Sequence, residues 1–512
     1  MNGKYIKIFI VAASMLTGSC EGGLLDVEPE NSVTFVNYFK TEKDLSTAVN
    51  AIRLAFRESN VLNAAKPPIC RGYIWDNADN MVKMEFNLDV MFANSPYNAS
   101  IGWGTYYGVI AAANLVLDCV DRSSVSEDRV DFYKGQAYFF RGYEYLYIAQ
   151  VYGDAPIVRH SRDVGEKARE KAIDVIDFAI NDIRKAIALL PTKGDLKDET
   201  GTRITKRDVP CRELAYVLLG NALAWKAGVL GHPELFRSAA DTLSLAINAT
   251  DHYSLAGSPE LVVTDVLVGN NEQESMFEIQ NIWTESSTKS NPFSDVVDFL
   301  TWPVIPIEGE GSIKTETDAR MKYETVSAMY PQGDLRRKAY FYKLDSMKFE
   351  VSDEITGGFA YPYKFRKALV ENTGSDKGRF LNIDQNCILY RLADVILLRA
   401  ECYARSGQEG LAIEDLNRIR SRAQAKLYPG GVDDGNPLQY VIFKEREKEL
   451  IWERVRWFDI IRNGYWKTEI SERYSELTEK DVSNGALYLP VGGRAFDENP
   501  LMVQNRYWLS RY

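Results

Sequence analysis

The sequence predicts a mainly α-helical protein, built from degenerate helical hairpins of the tetratricopeptide type with a loop-rich C-terminal part. Three observations predict it. First, between residues 390 and 423, Ala393, Ile396, Leu397, Ala400 and Ala404 share one helical face, while Ala412, Leu416, Ile419 and Ala423 share another. Ser406-Gly407 breaks the pattern between them. Two helices joined by so short a turn pack antiparallel, and alanines at the contact let the backbones approach closely. Second, similar pairs recur at 133–152 with 167–190, and at 212–230 with 235–248. They depart from a strict tetratricopeptide period of about 34 residues, so the repeats are degenerate and stack with loops between them. Third, from about 255 to 385 the periodicity gives way to Gly, Pro, Ser and Asn clusters around short apolar runs at 276–279 and 303–307.

Read from the start, residues 1–19 carry Lys4 and Lys7, an apolar run over 8–16, and the small residues Thr17, Gly18 and Ser19 before Cys20. This is the pattern of a secretory signal peptide. The run is half of the ~20 residues that a membrane-spanning helix needs. Residues 21–31 are mostly polar and include Gly22, Gly23 and Pro29, which suits a tether. Helical periodicity begins near Thr41 as N-cap, with Leu45, Ala48, Val49, Ile52 and Phe56 at three- and four-residue steps. In the irregular region no long helix is expected except near Ala328. Pro303 and Pro306 argue against a central strand there, because proline cannot donate to a ladder. Loops of such length in an exported protein are usually functional.

The chain has 512 residues, more than one core usually serves, so two domains or one extended helical assembly is expected. Its formal charge is −11, and loss of residues 1–19 would leave 59 basic against 72 acidic residues, or −13. Nucleic acid is a poor partner for so acidic a protein, since phosphate binding requires dense cationic surface. Cys70, Cys119, Cys211, Cys387 and Cys402 follow Cys20 at wide, irregular spacing, which is neither a disulfide framework nor a metal motif. They read as buried thiols. His160, His232 and His252 are far apart, and the chain has no HExxH, GxSxG, GxGxxG or phosphate loop. No metal, cofactor or catalytic residue is expected. A glycoside hydrolase would need two carboxylates flanking a bond, and the sequence nominates no such pair among its 72 acids.

Several motifs carry a family resemblance. Leu16-Thr17-Gly18-Ser19-Cys20 resembles a bacterial lipobox, which implies a lipid on Cys20. Leu24-Leu25-Asp26-Val27-Glu28-Pro29 and Phe39-Lys40-Thr41-Glu42-Lys43-Asp44 look like the start of a SusD/RagB protein. Phe140-Arg141-Gly142-Tyr143, leading to Tyr152-Gly153-Asp154-Ala155-Pro156, is similar to that family's helix ending in Tyr-Gly-Asp-x-Pro. Tyr390 to Asp394, Leu416 to Ala423, Glu445 to Leu450, and Arg456-Trp457-Phe458-Asp459 resemble its C-terminal signatures. Leu489-Pro490, Asn499-Pro500-Leu501 and Gln504-Asn505 resemble its closing segment. Two departures stand out: Arg454 replaces a small residue after Glu453, and Asn505-Arg506-Tyr507 replaces Asn-Pro-Gly. Physically, Glu445 with Lys448 and Glu453 with Arg456 read as i to i+3 pairs on one helix, contributing roughly 0.2–0.5 kcal/mol each.

The resemblance implies an N-terminal helical-repeat part over 20–265 and a C-terminal part over 266–512. It also implies a lipid anchor in the outer membrane, facing the exterior, and a SusC-like TonB-dependent transporter as partner for which the protein captures oligosaccharide. A peptide cargo on the same architecture, a purely structural subunit and a glycoside hydrolase are the alternatives. A sugar site combines a flat aromatic ring with paired hydrogen-bonding groups. Arg71, Trp75 and Asp76 offer that mixture on one loop, and Trp283 and Trp302 stand in the irregular region where the resemblance puts ligand-facing loops. Trp103 reads as structural, and Trp225 and Trp457 as core.

Overall fold

The computed structural model describes residues 38–65, 82–83, 102–269, 273–280, 319–345, 359–360, 362–370, 373–374, 380–469, 476–497 and 499–509. Within them the protein is mainly helical, as the periodicity predicts. Helix α1 is Glu42–Ala65, α2 is Gly104–Cys119, α3 is Glu127–Tyr152 and α4 is Ala172–Leu189. Helix α5, Arg212–Val229, and α6, Leu235–Ile247, form the next hairpin. Two short helices follow, α7 at Tyr323–Met329 and α8 at Arg336–Tyr340. The C-terminal half contributes α9, Leu392–Arg405, α10, Glu409–Arg422, α11, Leu438–Glu449, and α12, Arg456–Asn463.

Each helix packs on its neighbour in sequence from α1 to α6. Helix α9 then packs on α6, α10 and α11 on α9, and α12 on α5. One continuous apolar core runs through this stack. Thr41 caps α1 as expected: its backbone N–H donates to Asp44 Oδ2 at 2.8 Å, and Asp44 N–H donates to Thr41 Oγ1 at 3.3 Å. The turn between α9 and α10 needs Gly407 at φ +77°, a conformation glycine adopts without steric cost.

Some boundaries move for identifiable reasons. Helix α3 starts six residues before 133, after Ser126. Helix α4 starts at Ala172 and not near 167, because Glu170 pairs in both directions with Ala155, at 2.9 and 3.0 Å. The Asp154 carboxylate then accepts the Ala172 N–H at 2.9 Å and pairs with Lys171 at 3.0 Å. The Tyr-Gly-Asp-x-Pro segment thus ends α3, with Gly153 at φ +75°, and supplies the cap for α4. The helix near Ala328 is only the seven residues of α7.

The described strands are short and pair antiparallel. β1 (Val82–Lys83), β3 (Ala319–Lys322) and β4 (Phe359–Ala360) form one sheet. β5 (Ala368–Val370) pairs with β6 (Phe380–Ile383). β2 (Ser275–Ile279) pairs with β7 (Cys387–Arg391), Ile279 opposite Cys387 and Ser275 opposite Arg391. The apolar run 276–279 is therefore a strand buried along its whole length, its Phe277 ring 5.6 Å from Phe56 and 5.5 Å from Phe139. This pairing sets β7, and hence the start of α9, against α1 and α3. The run 303–307 lies outside the described residues.

Trp225 and Trp457 are core, and Trp103 is buried between Tyr107 and Tyr152, as expected. Cys119, Cys211, Cys387 and Cys402 are free and buried; Cys70 lies outside the described residues. No described helix is long and apolar enough to cross a membrane.

Candidate functional site

The C-terminal motifs converge on buried charge. Arg391 Nη1 donates to Glu274 Oε1 at 2.7 Å, its Nε to Glu453 Oε2 at 2.7 Å, and its Nη2 to the Glu449 carbonyl at 2.8 Å. Arg336 joins Asp334 to Glu445, at 2.8 and 2.7 Å. Arg420 binds the other oxygen of Glu445 at 2.8 Å, Arg422 binds Glu274 and Glu449, and Lys364 binds Glu453. The i to i+3 pairing expected from the sequence is thereby corrected. Lys448 pairs with Asp433, Arg456 pairs with Glu447 and Glu469, and Glu453 lies in a turn beyond the end of α11. The physical reason is burial: a carboxylate out of water needs several directed partners, and guanidiniums from other elements supply them.

A second network lies beside the first. Arg446 Nε donates to Asp459 Oδ2 and its Nη2 to Asp394 Oδ1, both at 2.7 Å. Arg462 bridges Glu401, at 2.7 and 2.6 Å, to Asp459 at 2.6 Å. Burial would raise the Asp459 carboxyl, but Arg446 and Arg462 outweigh it and hold the group below the ordinary range. At Asp394 burial prevails over Arg446, and the carboxyl lies above that range.

Between α11 and α12 the backbone turns through Trp452 at φ +62° and Arg454 at φ +65°. Left-handed backbone is uncommon for side chains of this size and costs on the order of 1–3 kcal/mol. This accounts for the small residue that the family resemblance places at 454. Strain of this kind tends to be retained where it shapes a site, and Arg454 lines a cavity.

That cavity, of about 100 Å³, lies where α1, α2, α3 and α5 meet β7, α9 and α12. Tyr106, Tyr147 and Phe458 make an aromatic wall, with centroids 5.2 Å apart for the first two and 6.1 Å for the second pair. Asn60, Gln150 and Asn221 bring amides to it, and Gln150 Nε2 donates to Asn221 Oδ1 at 3.2 Å. Glu144 projects from α3 and is 1% exposed. Its single hydrogen-bond partner among the described residues is Ser59, whose hydroxyl donates to Oε1 at 3.2 Å. Burial pushes the Glu144 carboxyl well above the ordinary range, and Ser59 only partly offsets this.

A carboxyl raised in the folded state contributes most below its unfolded value, about 4.3, and that contribution is lost as pH rises toward the folded value. Glu144→Gln carries no such penalty. Its melting temperature should match the parent near pH 4 and exceed it by a growing margin up to pH 8; a constant difference across that range would contradict a protonated Glu144.

A second cavity, of about 280 Å³, is floored by Phe56, Phe140 and Phe277 and rimmed by Arg53, Arg57 and Asp208. Of the groups singled out from the sequence, Arg71, Trp75, Asp76, Trp283, Trp302 and the lipid-bearing Cys20 all lie outside the described residues, so the structure neither gathers nor separates them. No motif in the sequence marks the junction cavity. Its one local signal is the lone acid Glu144 among Tyr143, Tyr145, Leu146 and Ile148 on a buried helix.

Comparison with known proteins completes the picture. A family model described as "SusD family" matches residues 271–508, and one described as "Starch-binding associating with outer membrane" matches residues 24–209. The chain belongs to the SusD/RagB family. The SusD-like protein P38 of Formosa agariphila is 24% identical over 544 residues, spanning 98% of this chain and 99% of that protein. A SusD homologue from Bacteroides thetaiotaomicron shares the fold with a TM-score of 0.72 at 19% identity, over 91% of this chain and 98% of its own. Surface glycan-binding protein A from Bacteroides uniformis does so with 0.67 at 19% identity, over 91% and 100%. In SusD/RagB terms, the C-terminal signatures are the buried charge networks that tie the segments from β7 to α12 to one another and to Glu274 beside β2.

Proposed function

We propose that this SusD/RagB protein captures oligosaccharide at the outer membrane and delivers it to a SusC-like TonB-dependent transporter, catalysing nothing itself. The observation that carries this reading is the succession of the two family matches over residues 24–209 and 271–508, the first described as starch-binding and outer-membrane associated. The glycan-binding name of the Bacteroides uniformis protein supports it. Cys20, in a lipobox-like sequence, would carry the lipid. Each buried methylene contributes about 0.8 kcal/mol, so several acyl chains together make a durable anchor on the exterior face.

Arg71, Trp75, Asp76, Trp283 and Trp302 are the ligand groups of this reading, with rings stacking on sugar faces and polar groups pairing with hydroxyls. Delivery then follows from population shift: bound glycan favours the closed complex with the transporter only to the extent that it binds that state more tightly.

The test is isothermal titration of the chain from Glu21 against plant, microbial and host oligosaccharides and a set of peptides. Saturable binding of one glycan class is expected, weakened by Trp75→Ala with Trp283→Ala. Binding of peptides alone would transfer the reading to a peptide carrier, and binding of nothing would favour a structural subunit.

A further inference from the structure

We propose that the cavity between α1, α3 and β2 binds a free α-amino acid with an apolar side chain, holding its ammonium at Asp208 and its carboxylate at Arg57. This goes beyond glycan capture and does not rest on it.

The floor comes from three elements. Phe56 of α1, Phe140 of α3 and Phe277 of β2 all border the space, with centroids 5.0 Å apart for Phe56 and Phe140 and 5.6 Å apart for Phe56 and Phe277. Ile279 extends this apolar surface along β2. These four side chains are buried, whereas Leu54 at the edge is exposed, so the cavity reaches the surface. An apolar cavity of roughly 150 Å³ holds benzene. The space here, about 280 Å³, therefore has room for a side chain of leucine or phenylalanine size together with the charged groups on its Cα.

Asp208 supplies the demand for a cation. It lies in the segment before α5, which is tied to β2 where the Glu278 backbone N–H donates to the Arg207 carbonyl at 3.2 Å. Asp208 Oδ1 is buried and has no hydrogen-bond partner among the described residues. A carboxylate oxygen out of water is costly until a donor reaches it, and an ammonium group is favoured over aromatic rings as well. The other carboxylate at the cavity, Glu278, already accepts at both oxygens: Oε2 from the Ser275 hydroxyl at 2.7 Å and Oε1 from Asn386 Nδ2 at 2.9 Å.

Helix α1 supplies the demand for an anion. Arg53 and Arg57 are one helical turn apart and both border the cavity. Arg53 donates to Asn50, a neutral group. Burial lowers the Arg57 guanidinium below its ordinary value, a cost that an incoming carboxylate offsets through paired hydrogen bonds. With Asp208 and Glu278, the two arginines leave the lining balanced in charge. A ligand of net charge upsets that balance, whereas a zwitterion preserves it and meets both demands. A sugar hydroxyl brings no charge to Asp208, and an internal peptide residue brings none to either group.

Calorimetric titration of the chain from Glu21 with L-leucine and L-phenylalanine tests the site, with phenethylamine, phenylacetate and leucyl-leucine as comparison probes. At least one amino acid should saturate at or below millimolar concentration. The two single-charge probes should bind about tenfold more weakly or worse, since each leaves Asp208 or Arg57 unmet. Asp208→Asn keeps the size of the side chain and should lower phenylalanine affinity about tenfold or more while sparing phenylacetate. Arg57→Met should also weaken phenylalanine but spare phenethylamine, and it provides a second variant should the first fold poorly. Failure of both amino acids to saturate would overturn the proposal, as would equal binding of a single-charge probe or parental affinity in either folded variant. Tighter binding of leucyl-leucine than of leucine would overturn it in favour of a pocket for a peptide end. Saturation by an amino acid in a protein that binds no oligosaccharide would retain this inference and sink the glycan reading.

Discussion

Arg391→Met should destabilise the folded protein by about 3–5 kcal/mol, the usual cost of removing one member of a buried ionic group. Arg391 is 1% exposed and reaches three carboxylates, Glu274, Glu449 and Glu453, as well as the Glu449 carbonyl. Burial opposes its charge, but Glu453, Glu449 and Glu274 hold its guanidinium well above the ordinary value. Methionine fills similar space but donates nothing, so three carboxylates would share Arg422, Lys364 and Arg336. Urea unfolding measures the loss directly. Arg237→Met is the control, because Arg237 and Asp241 form an i,i+4 pair with both side chains 57% exposed, and such pairs contribute at most about 0.5 kcal/mol. Equal effects from the two substitutions would mean that the network does not hold the C-terminal half together.

The same residues show what a sequence can and cannot reveal. The α9–α10 hairpin was legible because its cause is local: alanines and leucines at helical spacing, then Ser406-Gly407 where the chain must turn. The start of α1 was legible for the same reason, through Thr41 and Asp44. Partner choice in the charge networks was not. Arg391 takes Glu274 from before β2 and Glu453 from after α11, and i to i+3 spacing near Glu445 offered a local pairing that burial overrides. The late start of the 167–190 helix was hidden similarly, because Glu170 pairs back to Ala155 across a loop. As for function, the motifs that carried the family resemblance are fold determinants in the structure. The cavity draws Ser59, Glu144, Asn221 and Arg454 from four distant elements, and no spacing rule links them.

Gly228→Ala should destabilise the protein by about 1–3 kcal/mol, the usual range for forcing extra atoms into a packed contact. Helix propensity alone predicts the opposite, since Ala is favoured over Gly within a helix by about 1 kcal/mol; the sign therefore decides between them. Helix α5 passes α12 at this point, and a Cβ on Gly228 would lie 2.4 Å from the Arg462 carbonyl oxygen and 2.8 Å from its Cγ. Neither can retreat easily. The oxygen belongs to the backbone near the end of α12, and the Arg462 side chain is fixed by Glu401 and Asp459. Gly220 makes a useful contrast, because a Cβ there meets the Leu243 side chain, also at 2.4 Å, and a leucine can change rotamer. Gly228→Ala should thus cost more than Gly220→Ala in thermal unfolding. Phe458, Asp459 and Arg462 also line the junction cavity, so displacement of α12 should deform that cavity in the same variant. A stabilised Gly228→Ala protein would show that α5 and α12 do not approach this closely, and the cavity between them would lose its wall.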